Sequence, residues 1–143
     1  MTCRQHRSTR KGRMISVEGE HRRRAMFRNP LREEYVVIKV DQGVVEQERA
    51  ADYAVHKAGV GTLIVELKGG DVRHACRQVA STVDIVGRCE IPHGKIAGLV
   101  ICTRFPAVDT TIQRLQNDFR RRVGCRLKVS SSQTEFEFAD LFS

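Results

Sequence analysis

The segment DYAVHKAGVGTLIVELK, residues 52–68, constrains the fold more than any other part of this chain. It contains two runs rich in β-forming residues, DYAVHK and TLIVELK, on either side of a glycine-containing turn. Two such runs joined by a short turn predict an antiparallel β-hairpin, here with its tip at Gly59. In that register Ala54 faces Ile64, and the strand ends that carry acidic residues come together.

Three charged residues occupy the open end of this otherwise apolar hairpin. Because side chains alternate along a strand, the register places Asp52 opposite Glu66, with Lys68 on the same face. Opposed residues have Cβ atoms about 4.5–5.5 Å apart, and opposed like charges destabilise a sheet. Lys68 alone is one compensation for that repulsion. A better one is a divalent cation such as Mg²⁺, which takes hard oxygen ligands and would activate water for attack on a phosphodiester. The alternative is that both acids point to solvent and pair with arginines.

The surrounding residues predict a mixed α/β domain. A strand is predicted at 34–43, before the hairpin, and a buried strand at 95–104. Apolar residues at helical spacing from Val72 to Val86 predict an amphipathic helix, with Asp71 as its N-cap. A second helix and a final strand follow this pattern, at 112–123 and 125–131.

The first 29 residues are strongly basic and predict an arm that precedes a domain at residues 30–143. Within the arm, HRRRAMFRN (21–29) predicts a short helix that ends before Pro30. Lys and Arg number 25 against 17 Asp and Glu, a formal net charge of +8. This charge favours a polyanion as partner, most often nucleic acid, and the alternative is a basic surface kept for solubility. The tail, TEFEFADLFS (134–143), predicts an edge strand or a docking tail.

The cysteines argue against a zinc site or a disulfide framework, because their number is odd and no CxxC pair occurs. They are Cys3, Cys76, Cys89, Cys102 and Cys125. Cys76 and Cys102 fall in apolar runs and are expected in the core. No apolar run reaches the length of a membrane span, and the basic N-terminus lacks the apolar stretch of a secretory signal. We therefore expect a cytoplasmic protein without a membrane partner.

The joint pattern resembles the catalytic core of the PD-(D/E)XK nuclease superfamily, which has the restriction-endonuclease-like fold. That superfamily places an Asp on one strand and a (D/E)xK triplet on the next, followed by a helix, and Asp52, Glu66 and Lys68 match these positions. Many members carry a Gln on the helix, where Gln78 stands. The similarity covers residues 34–104. The chain departs from the family pattern at two places. No proline precedes Asp52, and the Tyr of the QxxxY pattern, found in an exonuclease-like branch, is missing after Gln78.

The resemblance implies a mixed sheet flanked by helices and a Mg²⁺-dependent nuclease, with Mn²⁺ as an alternative cofactor. DNA is the expected substrate because the superfamily mostly acts on DNA. Asp52, Glu66 and the Leu67 backbone carbonyl would hold the metal, Lys68 would assist the attacking water, and Gln78 would complete the catalytic set. Six arginines are expected to grip phosphates: Arg22, Arg23, Arg24, Arg120, Arg121 and Arg122.

Other hypotheses stay open at this point. Some members of the superfamily add a third acid from an upstream helix, and the candidates are Glu18, Glu20, Glu33, Glu34, Glu46 and Glu48. A non-catalytic nucleic-acid-binding or assembly subunit that retains the fold is the second hypothesis. A third is a basic protein that binds acidic protein partners. A homodimer and a larger nuclease or defence complex are the expected assemblies.

Overall fold

The computed structural model of this chain describes residues 3–41, 44, 50–67, 71–89, 94–104 and 109–143, with only the backbone of Arg4 and His21. These residues form nine strands: β1 (Arg7–Arg10), β2 (Met14–Glu18), β3 (Arg24–Arg28), β4 (Tyr35–Lys39), β5 (Tyr53–Lys57), β6 (Gly61–Glu66), β7 (Lys95–Ile101), β8 (Gly124–Ser130) and β9 (Glu135–Phe136). They also form two α-helices, α1 (Val72–Gly87) and α2 (Thr110–Val123). Short 3-10 turns cover Cys3–His6, Glu20–Arg22 and Phe138–Phe142.

The strands form two mixed sheets. The larger has six strands in the order β1-β4-β5-β6-β7-β8, antiparallel from β1 to β6 and parallel from β6 to β8. The smaller has the order β2-β3-β9, in which β3 pairs antiparallel with β2 and parallel with β9. The predicted mixed α/β class is therefore confirmed.

The central strands of the six-stranded sheet are buried on both faces, which explains why they are almost wholly apolar. On one face, Ala54 and Ile64 pack with residues of α1 and α2, such as Val79 and Phe119. On the other face, residues such as Leu63 pack against the smaller sheet and the C-terminal 3-10 turn. The helices of the described residues thus cover one face of this sheet, and the smaller sheet covers the other.

The short helix predicted within residues 21–29 is wrong, because residues 24–28 form β3. Ala25 and Phe27 are fully buried while Arg24 and Arg28 are exposed, which is the two-residue alternation of a strand with one buried face. Residues 7–18 of the expected arm likewise contribute β1 and β2 to the sheets.

The C-terminal residues pack into the fold. The expectation of an edge strand is confirmed, since β9 lies at one edge of the smaller sheet beside β3. Phe136, Phe138, Leu141 and Phe142 are buried, so these phenylalanines lie in the core.

The cysteines differ from expectation in one respect. Cys3 and Cys89 form a disulfide with a Cα–Cα distance of 5.5 Å, although 86 residues separate them in sequence. Spacing along the chain could not show this pair, because tertiary folding brings the first 3-10 turn next to the end of α1. Cys76 and Cys102 are free and buried, as predicted.

The cytoplasmic location stays a prediction. Within the described residues no helix is long and apolar enough to cross a membrane.

Candidate functional site at the ends of two adjacent strands

The β5–β6 hairpin has the register predicted from the sequence. Ala54 pairs with Ile64 and His56 with Thr62, and the turn contains Gly59 with a φ of +82°, a left-handed conformation that favours glycine. One step further along this register, Asp52 stands opposite Glu66, the last residue of β6.

The two carboxylates converge on one backbone amide. The Leu67 N–H donates to Asp52 Oδ2 at 2.8 Å and to Glu66 Oε1 at 3.1 Å. Because both oxygens lie within hydrogen-bonding distance of the same nitrogen, they lie close to each other. Glu66 is fully buried and Asp52 is partly exposed, so the pair has one carboxylate in the interior and one that solvent reaches.

Both acids belong to the face of the sheet that α1 covers. Because side chains alternate along β6, Glu66 lies on the same face as Ile64, which packs against the helices. Leu63 and Val65 pack on the opposite face. The helix α1 begins at Val72, soon after Glu66 in the chain, so it starts near the strand end that carries the acid. The side chain of Leu67 packs on the opposite face of the sheet.

The predicted glutamine reaches this part of the fold. Gln78 is buried in α1, and its Nε2 donates to the Ala50 carbonyl at 3.4 Å, two residues before Asp52. Its Oε1 is buried without a hydrogen-bond partner among the described residues. Gln78 therefore lies inside the fold and is not exposed on the helix surface.

Some of the other predicted residues lie outside the described part of the chain, and one lies away from the acids. Lys68, Glu46 and Glu48 lie outside the described residues, so their placement stays a prediction. Glu33 pairs with Lys57 at 3.3 Å, at the opposite end of β5 from Asp52.

The turn between β2 and β3 brings Arg22, Arg23 and Arg24 to the same end of the sheet. Gly19 in this turn lies so close to Leu67 that a Cβ at position 19 would be 2.9 Å from the Leu67 Cβ. Two further contacts fix the turn: the Tyr53 hydroxyl donates to the Glu18 carbonyl at 2.9 Å, and Arg23 donates to the Thr103 hydroxyl at 2.6 Å. Sequence reasoning missed these contacts, because they join residues 35 and 80 positions apart.

Arg22 has a left-handed backbone, with a φ of +59°. Such a conformation is uncommon for a residue with a side chain, and strained residues of this kind cluster at ligand-binding sites. The side chains of Arg22 and Arg24 are exposed. The turn from Glu18 to Arg24 therefore presents exposed cationic side chains beside the strand end that holds the acids.

The second arginine group lies elsewhere. Arg120, Arg121 and Arg122 are in the last turn of α2, directly before β8. The start of β8 pairs with Ile96, whereas Glu66 pairs with Val100, four residues further along β7. At about 3.3 Å per residue, the two positions are separated by about 13 Å along the sheet. The structure does not bring this group to the carboxylates.

Arg121 and Arg122 are also engaged by neighbouring residues. Arg122 contacts Asp84 and donates to the Ala80 carbonyl at 3.2 Å, both on α1, and Arg121 pairs with Asp118 at 3.8 Å. These contacts connect α2 with α1 and with its own preceding turn.

The N-termini of both helices lie at the end of the sheet that carries Glu66, because α1 follows β6 and α2 follows β7. Asp71 caps α1 by accepting from the His74 N–H, and Asp109 caps α2 by accepting from the Ile112 N–H. The hydrogen bond from Ile112 and the contact with Arg73 lower the pKa of Asp109. The positive ends of two helix dipoles thus face the region in which the carboxylates lie.

The donors at this strand end suit a hard cation. In proteins Mg²⁺ usually keeps several waters and is bound by one or two carboxylates together with substrate phosphates. The described residues contain no group of three or more His, Cys, Asp or Glu side chains able to hold a metal, so Asp52 and Glu66 would need the Leu67 carbonyl and water to complete the shell.

Burial also affects the residue next to Asp52. Burial first, and then the charge of Asp52, raises the pKa of Tyr53 above its ordinary value, so this hydroxyl stays protonated and donates its hydrogen bond to the Glu18 carbonyl. The acids and the arginine-bearing turn are therefore joined through one neutral tyrosine.

Comparison with protein-family models, with curated proteins and with solved structures gave no match for this chain.

Proposed function

We propose that this chain is a metal-dependent nuclease of the restriction-endonuclease-like fold, which hydrolyses phosphodiester bonds in DNA at a site made by Asp52, Glu66 and Lys68. The observation that carries the proposal is the convergence of Asp52 and Glu66 on the Leu67 amide at the ends of adjacent strands.

The energetic cost of this arrangement supports a cation. A buried carboxylate is unfavourable without compensation, and a second carboxylate beside it adds repulsion. A hydrophobic residue at position 66 would match the rest of β6, which is buried along its whole length. We infer that the acid is there for chemistry.

The residues have distinct roles in this proposal. Asp52, Glu66 and the Leu67 carbonyl hold Mg²⁺, with Mn²⁺ as the alternative. The bound ion supplies Lewis-acid activation of water and stabilises charge on the scissile phosphate. Lys68, two residues after Glu66, orients the attacking water or neutralises the developing negative charge. Partly exposed Asp52 marks the side from which the substrate enters.

The surroundings of the acids suit a polyanionic substrate. Arg22 and Arg24 on the β2–β3 turn lie on one side of the strand ends, and the N-termini of α1 and α2 lie on the other. Cationic side chains bind phosphates, and helix N-termini favour anions. The net charge of +8 adds long-range attraction for nucleic acid.

The order of elements also supports the proposal. β4, β5, β6, α1 and β7 follow one another as strand, strand, strand, helix and strand, the order of the superfamily that the sequence resembles. β5 and β6 are neighbours in the sheet, as the Asp and the (D/E)xK triplet of that superfamily require.

The test is cleavage of supercoiled and linear DNA by purified protein with Mg²⁺, Mn²⁺ or EDTA. We expect metal-dependent cleavage that Asp52→Asn, Glu66→Gln and Lys68→Met abolish while circular dichroism stays unchanged. Glu33→Gln is the matched control, because it removes a carboxylate at the far end of β5. Full activity of Glu66→Gln would overturn the proposal.

One outcome would favour the non-catalytic alternative. A protein that binds DNA in a salt-sensitive manner, but neither cleaves DNA nor binds a divalent cation, acts as a binding or assembly subunit. The lack of a third acidic, His or Cys ligand among the described residues is the observation that favours this second candidate.

A further inference from the structure

Thr82 of α1 holds the backbone that leads into Asp52. Its side chain is fully buried, and its Oγ1 accepts a hydrogen bond from the Ala51 N–H at 2.8 Å. The same hydroxyl donates to the Gln78 carbonyl one turn earlier in the helix, at 2.6 Å. A buried hydroxyl with both its donor and its acceptor engaged has a fixed orientation.

The segment from Ala50 to Asp52 is held from two directions. On the sheet side, the N–H groups of Val40 and Asp41 donate to the carbonyls of Asp52 and Ala51, at 3.0 and 3.2 Å. On the helix side, the contact comes from Thr82. Gln78 adds a longer contact to the Ala50 carbonyl at 3.4 Å. The position of Asp52 relative to Glu66 therefore depends on α1 as well as on the hairpin register.

A serine or threonine within a helix commonly returns its hydroxyl hydrogen to the carbonyl four residues earlier. Thr82 does so with Gln78, which leaves the lone pairs of its oxygen free to accept a hydrogen bond from the sheet side. The buried Ala51 N–H donates its hydrogen bond to this oxygen. A side chain of the same shape without the oxygen would leave a buried donor without an acceptor, so the segment would shift to find one.

We propose that Thr82 is a positioning residue of the candidate metal site: through Ala51 it fixes Asp52 so that its carboxylate meets Glu66 at the Leu67 amide. This inference rests on the proposed function for its consequence in catalysis, but its structural part stands apart from that function. A shift of the Ala51 backbone moves Asp52 Oδ2 relative to the Leu67 nitrogen. The carboxylates of Asp52 and Glu66 then no longer converge on one position. Partners that orient metal ligands in this way change metal affinity or activity by about 10–100-fold.

The variants are Thr82→Val, which keeps the shape and removes the hydroxyl, and Thr82→Ser, which keeps the hydroxyl. Ile85→Val is the control for loss of packing, because it trims a buried residue of the same helix. Thr82→Ala, which is smaller, replaces Thr82→Val if that variant does not fold. All variants are compared by thermal unfolding, so that a general loss of stability is separated from a local change.

The first readout needs neither metal nor DNA. In ¹⁵N-labelled protein we expect Thr82→Val to shift the Leu67 amide resonance and to speed its exchange with deuterium, while Thr82→Ser and Ile85→Val leave it near its wild-type position. An unchanged Leu67 amide in Thr82→Val and Thr82→Ala would overturn the inference, whatever the protein's activity.

The second readout is Mn²⁺ binding and DNA cleavage. Thr82→Val should lower Mn²⁺ affinity and kcat by about tenfold or more, with little change in KM for DNA, and Thr82→Ser should recover most of the loss. Equal losses in Thr82→Val and Ile85→Val would reduce Thr82 to a packing residue and overturn the inference. If the wild type neither binds metal nor cleaves DNA, the proposed function fails, and the Leu67 amide still decides the role of Thr82.

Discussion

Asp52 and Glu66 share one hydrogen-bond donor, the amide of Leu67, at 2.8 and 3.1 Å. The hairpin register sets this relationship, because it places the residue before β5 opposite the last residue of β6. One oxygen of each acid thus lies within hydrogen-bonding distance of the same backbone nitrogen. In the proposed function, a cation binds at these two carboxylates, and a phosphate binds between the arginine-bearing turn and the two helix N-termini.

The arginines of the β2–β3 turn should contribute to DNA binding more than those at the end of α2. The double variant Arg22→Ala/Arg24→Ala should weaken DNA binding, because it removes two exposed cations beside the acids. It should also lower the slope of log K against log salt by up to about 0.9 for each phosphate that these arginines neutralise in the wild type. Fluorescence anisotropy across a salt series measures both quantities.

Arg121→Ala is the control for this experiment. Its side chain is exposed and pairs with Asp118 far from the acids, so its removal should change affinity and slope little. An equal loss of affinity in the control would place the DNA on the α2 side and contradict the proposed orientation.

Gly98 in β7 allows the helices to pack on the sheet. A Cβ at this position would lie 2.5 Å from Leu127 Cδ1 and 2.8 Å from Val79 Cγ1. Gly98→Ala should therefore overpack the core and lower the free energy of unfolding by about 1–3 kcal/mol. Urea denaturation measures the loss. Gly87→Ala, where a Cβ meets nothing within 4 Å in the last turn of α1, should not lower the free energy of unfolding, because Ala favours a helix more than Gly does. A loss similar to that of Gly98→Ala would contradict the packing explanation.

The Cys3–Cys89 disulfide joins residues that are 86 positions apart and should stabilise the protein by about 2–4 kcal/mol. Dithiothreitol should lower the free energy of unfolding of the wild type, but should have no effect on Cys3→Ser, which already lacks the bond. Thiol titration of the unreduced, denatured wild type should give three free thiols. A titration that finds all five cysteines as free thiols, together with a free energy of unfolding that dithiothreitol does not change, would exclude the disulfide.

The buried thiol of Cys76 should resist alkylation in the folded protein. Burial, together with nearby Cys102, raises the pKa of Cys76 from 9.0 to about 11, and the thiolate is the reactive form. Because the folded-state pKa lies above the unfolded value, the thiol's contribution to stability is present below pH 9.0 and is lost as the pH rises towards about 11.

Mass spectrometry after iodoacetamide treatment at about pH 8 should find Cys76 unmodified in folded protein and modified in urea. Cys76→Ala should lose less stability than the wild type as the pH rises from 9.0 towards about 11. Rapid labelling of Cys76 in the folded state, or identical pH profiles, would contradict the assigned burial.

The hairpin and α1 could be predicted because local patterns specify them. Strand residues alternate around a turn whose Gly59 adopts a left-handed φ, and Asp71 precedes a helical apolar stripe. Each signal lies within a short stretch of sequence. The approach of Asp52 to Glu66 could be predicted as well, because the hairpin register places the two residues opposite each other.

The smaller sheet could not be predicted in the same way. Arg24 and Arg28 occupy the exposed positions of β3, and only Ala25 and Phe27 mark its buried face. A short segment with this composition suits a basic helix equally well. The choice is made by the apolar face of the larger sheet, which Phe27 helps to cover.

The contacts that hold the site were hidden for the same reason. Thr82 bonds to Ala51 across 31 residues, and the Tyr53 hydroxyl bonds to Glu18 across 35. A threonine in a helix and a tyrosine in a strand have no distinctive local pattern. Their roles emerge only when the tertiary fold brings them to the backbone beside Asp52.

The most direct measurement of the central claim is calorimetric titration of the purified chain with Mg²⁺ and Mn²⁺. We predict that the wild type and Glu33→Gln bind a divalent cation, and that Asp52→Asn and Glu66→Gln lose this binding while keeping their fold. Unchanged binding in Glu66→Gln, or no binding in the wild type, would contradict a metal site between Asp52 and Glu66.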